Sequence, residues 1–340
     1  MSDFATLARR SANHRHSRSA RGRLGLPVAA AACLLTVAQP AVAANPPLSN
    51  PRIIAHLDFG RGQTPENLAL EPDGSAAVTF AEAAQVVQVS RQGQVHILAQ
   101  LPRPAGGAAC PVLGPLLGAA AFTVGIVRDH QGNLYVALCT GSPGLQGIWR
   151  ISPNGSASRI AALPADGIPN GMALDERHGF LYVADSLLGT IWRVSVADGT
   201  VAAWAAGPQL APGGGLGANG LKLHDGAVWV SNTQAGTLMR IPIRRDGSAG
   251  PIQAVTTGLP GIDDFAFTGP GDNAPVLAAI NRFNTVMLIQ PDGRQQTVLT
   301  AADGLSNPSS IGIRGHTVWV LSAAYLTHTD PNILLANLNH

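Results

Sequence analysis

The sequence predicts an all-β protein folded as a six-bladed β-propeller. Apolar or alternating runs of four to six residues recur along the chain, bounded by Gly, Asp and Asn, which is typical of short strands and hairpins. The same order of segments starts again six times, about every 45 to 60 residues. Beyond the N-terminal segment, no stretch has a helical period. Three or four short strands in a repeat of this length are typical of propeller blades.

The third repeat, residues 168–194, shows the pattern most clearly. Its sequence, IPNGMALDERHGFLYVADSLLGTIWRV, predicts three strands separated by a polar turn and by a short turn at Gly189. The six repeats begin near residues 66, 124, 170, 218, 262 and 309. Between the first two repeats, the Pro-, Gly- and Ala-rich residues 102–120 form the longest irregular insertion. We interpret this insertion as a candidate lid or rim element.

One strand-like segment, residues 52–59 (RIIAHLDF), lies outside the repeats. A propeller must close its ring, and a strand from the N-terminus can complete a short last blade. The sixth repeat is the shortest, so we expect this segment to join it. The predicted organisation is a signal peptide at 1–43, a Pro-rich lead at 44–51 and one propeller domain at 52–340.

The N-terminal segment has the features of a secretory signal. A basic region precedes the apolar residues 24–37 and the small-x-small sequence Ala41-Val42-Ala43. The apolar run is short for a membrane span, although an uncleaved anchor is the alternative. We therefore expect a secreted or periplasmic protein with no membrane association after cleavage. The export route stays open.

Charge and cysteine content bound the partners and the compartment. Six arginines precede residue 24, and the chain beyond residue 43 holds 16 basic and 19 acidic residues. This balance argues against a nucleic-acid partner. An exported chain keeps Cys110 and Cys139, an even pair that favours a disulfide over two buried thiols.

The starts of the six repeats form a column of residues that should converge on the propeller axis. They are Glu66, Val124, Asn170, Asn219, Asp263 and Ser309. Asn before Gly can simply form a turn. However, oxygen donors at matched positions in four repeats suit Ca²⁺, or another divalent metal, which takes six to eight oxygen ligands. The predicted metal ligands are Glu66, Asn170, Asn219 and Asp263.

The motifs around this column resemble those of the SMP-30/gluconolactonase propellers, which are related to the paraoxonase and strictosidine-synthase-like propellers. The resemblance covers residues 52–335 and rests on PENLAL, PNGMALD with LYVADS, and GANGLKL with VWVSN. It implies a channel metal held by Glu66 and Asn170. Asn219 stands where gluconolactonases carry an Asp, and Thr123 or Val124 stands where an Asn is usual. In the paraoxonase register, Asn170, Asn219 and Asp263 join Glu66.

These observations predict an exported, Ca²⁺-dependent hydrolase of a small-molecule lactone or ester. The metal would polarise the carbonyl, and Asp263 or Asp264 would activate water. Two alternatives stay open: a non-catalytic propeller that binds a ligand or protein around a structural metal, and a lyase or cyclase of secondary metabolism.

Other functional motifs are either absent or lack the neighbouring structure that their function requires. The GxGxxG match at 215–220 is followed by a strand, whereas a dinucleotide site needs a helix there. The sequence has no GxSxG elbow, which argues against a serine hydrolase, and its histidines lack zinc spacing.

Overall fold

The computed structural model describes residues 46–339, which fold into six four-stranded antiparallel sheets. The predicted signal peptide lies outside the described residues. Within the described residues, no helix is long and apolar enough to cross a bilayer. The six sheets are the blades of a propeller, so the predicted fold class is confirmed.

In each blade the strands follow chain order from the axis outward, except that the outermost strand of the sixth blade comes from the N-terminus. This strand is β1 (Leu48–His56). The first blade contains β2 (Pro65–Leu70), β3 (Ala76–Phe80), β4 (Gln85–Val89) and β5 (Val95–Gln100). The second contains β6 (Phe122–Arg128), β7 (Leu134–Cys139), β8 (Gly147–Ile151) and β9 (Ala157–Ala162). The third contains β10 (Pro169–Asp175), β11 (Phe180–Asp185), β12 (Thr190–Ser195) and β13 (Val201–Ala206).

The remaining blades repeat this arrangement. The fourth contains β14 (Ala218–His224), β15 (Ala227–Asn232), β16 (Thr237–Pro242) and β17 (Gln253–Thr256). The fifth contains β18 (Ile262–Phe267), β19 (Val276–Ile280), β20 (Thr285–Ile289) and β21 (Gln295–Leu299). The sixth contains β22 (Pro308–Arg314), β23 (Thr317–Ser322), β24 (Asn332–Leu338) and β1. The described helices are α1 (Leu113–Leu117) and the 3₁₀ turns Phe59–Arg61, Asn281–Phe283 and Ala301–Asp303.

β1 closes the ring by pairing with β24, with Ile53 opposite Leu334 and His56 opposite Asn332. The strand lies four residues nearer the N-terminus than the sequence pattern placed it, and Phe59 begins a 3₁₀ turn instead. The strand begins earlier because Leu48 already pairs with Leu338 and packs between the fifth and sixth blades, while Ala55 packs between the sixth and first blades.

Burial between blades supplies the core. Six apolar clusters each fill the space between two adjacent blades, for example Ile148 of the second blade against Val183 of the third. A seventh cluster lies beneath the insertion between the first and second blades. Each inner strand contacts the inner strands of both neighbouring blades, which closes a ring around a central channel. The start of every inner strand therefore faces the same end of this channel.

Candidate active site and metal centre

A β-bulge interrupts each inner strand near its start. In the fifth blade, Ile262 pairs with Ile280 while Phe265 pairs with Ala278, so three steps on β18 match two on β19. The inner strands of the other blades carry one extra residue at the equivalent place. Because a bulge turns two successive side chains away from strict alternation, both can serve the channel.

The first bulge residues of five blades line one cavity of about 160 Å³. They are Glu66, Val124, Asn170, Asn219 and Asp263. The structure thus brings the four predicted metal ligands together. The sixth member of the column, Ser309, is buried and donates its hydroxyl to the Pro65 carbonyl oxygen at 2.7 Å. We call this space the lid cavity.

The second bulge residue is a glycine in three blades, at Gly125, Gly171 and Gly220. A Cβ on Gly125 would lie 2.2 Å from the Asn170 carbonyl oxygen, and one on Gly171 would lie 2.4 Å from that of Asn219. At Gly220 the nearest atom, Asp264 Oδ1, would be 2.6 Å away. These residues are therefore glycine because neighbouring inner strands approach each other too closely for a side chain.

Where the second bulge residue has a side chain, that side chain converges on Asp264. The Oδ2 atom of Asp264 accepts hydrogen bonds from Ser310 Oγ at 2.6 Å and Asn67 Nδ2 at 3.3 Å. Lys222 Nζ, from the fourth blade, lies 2.7 Å from the same oxygen. We call Asn67, Lys222, Asp264 and Ser310 the axial hub. Asp264, a predicted catalytic residue, is thus held in the hub and does not line the lid cavity.

The amide nitrogens in the lid cavity are already occupied. Asn219 Nδ2 donates to Asp263 Oδ1 at 3.0 Å and to Thr233 Oγ1 at 2.8 Å. Asn170 Nδ2 donates to Ser186 Oγ at 3.2 Å. Asn281 Nδ2 donates to Asp263 Oδ2 at 3.1 Å. Within the described residues, no donor hydrogen-bonds to the side-chain carbonyl oxygens of Asn170 and Asn219, which leaves these oxygens available to a cation.

The carboxylates of the lid cavity lack a cationic neighbour. Among the described lining residues there is no Lys or Arg. Burial raises the pKa of Glu66 to about 7, although the hydrogen bond from Tyr325 at 2.7 Å opposes this. Burial and the charges of Glu66 and Asp264 raise the pKa of Asp263 well above its ordinary value, against the hydrogen bonds from Asn219 and Asn281. Two buried acids with raised pKa values and no cationic partner among the described lining residues make this cavity a candidate site for a positive charge.

The donor set fits a hard divalent cation. Two carboxylates and two amide carbonyl oxygens come from four blades, and oxygen ligands suit Ca²⁺. Within residues 46–339, no group of three or more His, Cys, Asp or Glu is placed to hold a metal. The fit therefore depends on the amide oxygens as well as the acids.

The insertion at 102–120 covers the lid cavity, so we call it the lid. Its helix α1 places Leu113, Leu116 and Leu117 in the cavity wall. A disulfide between Cys110 and Cys139 fastens the lid to the end of β7, as the even cysteine pair predicted. The helix itself was not predicted, because five residues are too few to show a helical period.

Several residues at the site escaped sequence reasoning. Thr233 and Asn281 follow the second strands of their blades, and Tyr325 lies in the connection after β23. Thr233 and Asn281 could have been predicted, since the end of the second strand lies beside the start of the inner strand in every blade. No sequence pattern pointed to Tyr325. Asp185, at the end of β11, is fully buried and accepts hydrogen bonds from three backbone amides and Trp192.

Comparison with known proteins identifies a family and a fold. Residues 75–262, more than half of the chain, match the family described as a repeat of unknown function (DUF6923). No curated protein matches the chain by sequence.

Solved structures are similar in fold. A gluconolactonase from Xanthomonas campestris has a TM-score of 0.62 at 15% identity, covering 86% of this chain and 90% of that one. Regucalcin, a calcium-binding protein from Agrobacterium tumefaciens, has 0.60 at 15%, covering 85% and 93%. A catalytically inactive histidine-to-alanine variant of virginiamycin B lyase from Staphylococcus aureus, with quinupristin, has 0.56 at 13%, covering 85% and 99%. The resemblance to gluconolactonase-type propellers is thereby confirmed at the level of the fold.

Proposed function

The chain belongs to the DUF6923 family of repeats, and because that description names no reaction, we propose from the lid cavity that it is a divalent-cation-dependent hydrolase of a lactone or ester. The observation that carries the proposal is the pair of buried acids, Glu66 and Asp263, in a cavity with no described Lys or Arg. The similar structures include a gluconolactonase and a calcium-binding regucalcin, which supports this class of site.

We propose Ca²⁺ as the cation, held by Glu66, Asn170, Asn219 and Asp263. Such an ion would polarise the substrate carbonyl and stabilise the negative charge that develops on its oxygen. Its charge would also keep both acids ionised at neutral pH, which reverses the effect of burial on their pKa values. The residues fit this role because each contributes a hard oxygen donor from a rigid strand.

We propose Asp263 as the general base. The amides of Asn219 and Asn281 hold one carboxylate oxygen each, at 3.0 and 3.1 Å, so the group is fixed in orientation. It would take a proton from water as the water oxygen bonds to the carbonyl carbon. The proton would then pass to the alkoxide released when the carbon–oxygen bond of the ester breaks. Asp264 is assigned no proton transfer, because it does not line the lid cavity and its Oδ2 atom is paired with Lys222.

A lyase is the second candidate, since the similar structures include virginiamycin B lyase. That enzyme is inactive when one histidine is replaced by alanine. No histidine is found among the described residues that line the lid cavity. The geometry therefore favours hydrolysis, in which a carboxylate activates water.

The test is hydrolysis of a panel of lactones and aryl esters by the purified protein, with Ca²⁺ or with EDTA. We expect turnover that requires the cation, and a loss of at least 100-fold in kcat/KM for Asp263→Asn. Asp292→Asn, an exposed acid of the fifth blade, is the matched control and should keep full activity. Bound Ca²⁺ without turnover of any substrate would instead support a non-catalytic propeller with a structural metal.

We also propose that the protein is exported, to the periplasm or beyond the cell. The N-terminal sequence has the form of a signal peptide. The Cys110–Cys139 disulfide supports an oxidising compartment. Mass spectrometry of the protein recovered from cell fractions would test both points, with cleavage after Ala43 as the expected result.

A further inference from the structure

The lid cavity has two chemically different halves. Its floor consists of polar side chains, which are Glu66, Asn170, Asn219, Asp263, Thr233, Asn281 and Tyr325. Its apolar wall consists mainly of Leu113, Leu116 and Leu117 of the lid, with Phe122, Leu216 and Leu326. The wall offers no side chain that can form a hydrogen bond. A molecule bound there meets polar groups at one end and hydrocarbon along the rest.

The apolar wall is a fixed part of the structure. The disulfide anchors the lid at Cys110, whose backbone N–H also donates to the Ala120 carbonyl oxygen at 3.1 Å. Leu113 and Leu117 pack on a buried cluster that contains Phe122 and Val124. The wall therefore belongs to the binding site before any ligand arrives.

The apolar surface continues outside the cavity. Leu116 is 70% exposed and Leu326 is 62% exposed, although both line the cavity. Among the described residues, eight large apolar side chains are exposed, and five of them lie in connections at this end of the blades. These five are Val112, Leu116, Leu188, Phe283 and Leu326. Leu116 and Leu326, which are exposed and also line the cavity, place apolar surface at its mouth, and such surface indicates an apolar ligand.

The floor offers few hydrogen-bond donors to a polyhydroxylated ligand, and its acceptor oxygens are those proposed to hold the cation. The amide nitrogens of Asn170, Asn219 and Asn281 already donate to protein oxygens. A sugar lactone carries hydroxyl groups around its ring, and the leucines of the wall would strip these groups of water without replacing the lost hydrogen bonds. A substrate with a hydrocarbon substituent would lose nothing comparable and would bury apolar surface.

We propose that the substrate is a lactone or ester with an alkyl or aromatic substituent, its carbonyl on the polar floor and its substituent against Leu113, Leu116 and Leu326. This inference rests on the proposed hydrolase function and adds the substrate class. It separates the protein from enzymes that open sugar lactones, because the part of the substrate away from the carbonyl is recognised by hydrocarbon contact.

The experiment measures kcat/KM for δ-lactones whose alkyl substituent lengthens from methyl to hexyl, with glucono-δ-lactone as the polar comparison. We expect about a fourfold rise for each methylene that reaches the wall, and the lowest value for glucono-δ-lactone. Leu116→Gln should flatten the rise with chain length. Ile97→Gln, at another exposed apolar position, on the outer strand β5, is the matched control and should leave the series unchanged.

A binding experiment tests the substrate class separately from the proposed hydrolase activity. The corresponding alkyl-substituted δ-lactams, which resist hydrolysis, are titrated calorimetrically into the Ca²⁺-loaded protein. Tighter binding of lactams with longer chains, lost in Leu116→Gln, would support the apolar wall. If this binding is seen but no lactone is hydrolysed, only the proposed hydrolase function is overturned. Turnover that is fastest for glucono-δ-lactone, or affinity independent of chain length, overturns the substrate class while the hydrolase stands.

Discussion

The lid cavity and the axial hub hold adjacent aspartates of one strand, yet only the hub supplies a cation for its acid. Asp263 faces the lid cavity with Glu66 and no described Lys or Arg. Asp264 has Lys222 at 2.7 Å and hydrogen bonds from Ser310 and Asn67. Asp264 has a cationic partner within the protein, at its Oδ2 atom, whereas Asp263 has no Lys or Arg among the described residues that line its cavity. Adjacent acids in one bulge can therefore have different partners, a lysine of the protein in one case and no cation among the described lining residues in the other.

The first and largest effect should follow loss of the hub acid. Asp264→Asn leaves the Lys222 ammonium, three-quarters buried, without a counter-ion. We expect the free energy of unfolding to fall by about 3 to 5 kcal/mol. Urea unfolding at pH 7 with EDTA measures the change.

The matched control for this variant is Asp272→Asn. It removes the exposed partner of Arg240 and should change the free energy of unfolding by less than about 1 kcal/mol. If the two variants lose the same amount, the hub ion pair is no stronger than a surface pair and the contrast between the two regions fails.

The lid cavity should respond in the opposite direction to loss of an acid. The folded-state pKa of Glu66 is about 7, above its ordinary 4.5, so ionising Glu66 destabilises the metal-free fold as the pH rises through 7. Glu66→Gln keeps an oxygen for the Tyr325 hydroxyl but carries no charge. We expect the metal-free variant to exceed the wild type by about 3 kcal/mol at pH 8 and to match it at pH 4.

Thermal unfolding in EDTA across pH 4 to 8 tests this sign. Added Ca²⁺ should stabilise the wild type at pH 8 by about 2.7 kcal/mol at a hundred times its Kd, and should do much less for Glu66→Gln. A variant that is less stable than the wild type at pH 8 in EDTA would show that Glu66 is satisfied within the protein.

The fold and the column of candidate metal ligands could be predicted from the sequence, but the axial hub could not. The blade repeats and the first two strands of each blade could be predicted because most of the side chains in these strands are buried, as in β10 and β15. The outer strands were harder, since a segment such as β5 is mostly exposed and its apolar residues do not alternate with burial. Repeat alignment placed Glu66, Asn170, Asn219 and Asp263 at one level, and the structure brings them together.

The distinction between Asp263 and Asp264 could not be read from the sequence. A regular strand would point them to opposite faces of the sheet, whereas the bulge turns both toward the channel at different depths. The cation that separates them, Lys222, lies in another blade and looks in the sequence like an ordinary solvated lysine. Asn67 and Ser310 likewise meet Asp264 only when the ring closes.

A smaller effect should follow from filling the space between inner strands. Gly171→Ala places a Cβ 2.4 Å from the Asn219 carbonyl oxygen and 2.6 Å from the Leu221 nitrogen, both backbone atoms of the next blade. We expect a loss of about 1 to 3 kcal/mol in the free energy of unfolding and weaker Ca²⁺ binding, because the third and fourth blades must separate. Gly269→Ala, where a Cβ meets no atom within 4 Å, should show neither change in urea unfolding and calorimetry.

The smallest effect should follow from adding an oxygen donor to the lid cavity. Val124 occupies in the second blade the place where four other blades put a carboxylate or an amide, and it lines the same cavity. Val124→Asn would add a carbonyl oxygen at that level. If the cavity coordinates Ca²⁺ directly, we expect calorimetry at pH 8 to show about tenfold tighter binding, equivalent to about 1.4 kcal/mol.

Val124→Ala is the control for this last variant, because it removes the same methyl groups without adding a donor. Its affinity for Ca²⁺ should stay within about twofold of the wild type, since the charge of the cavity is unchanged. Equal affinities for the Asn and Ala variants would mean that the two acids attract the ion by charge alone. In that case the lid cavity would differ from the axial hub only in lacking a lysine, and its amide column would have no part in coordination.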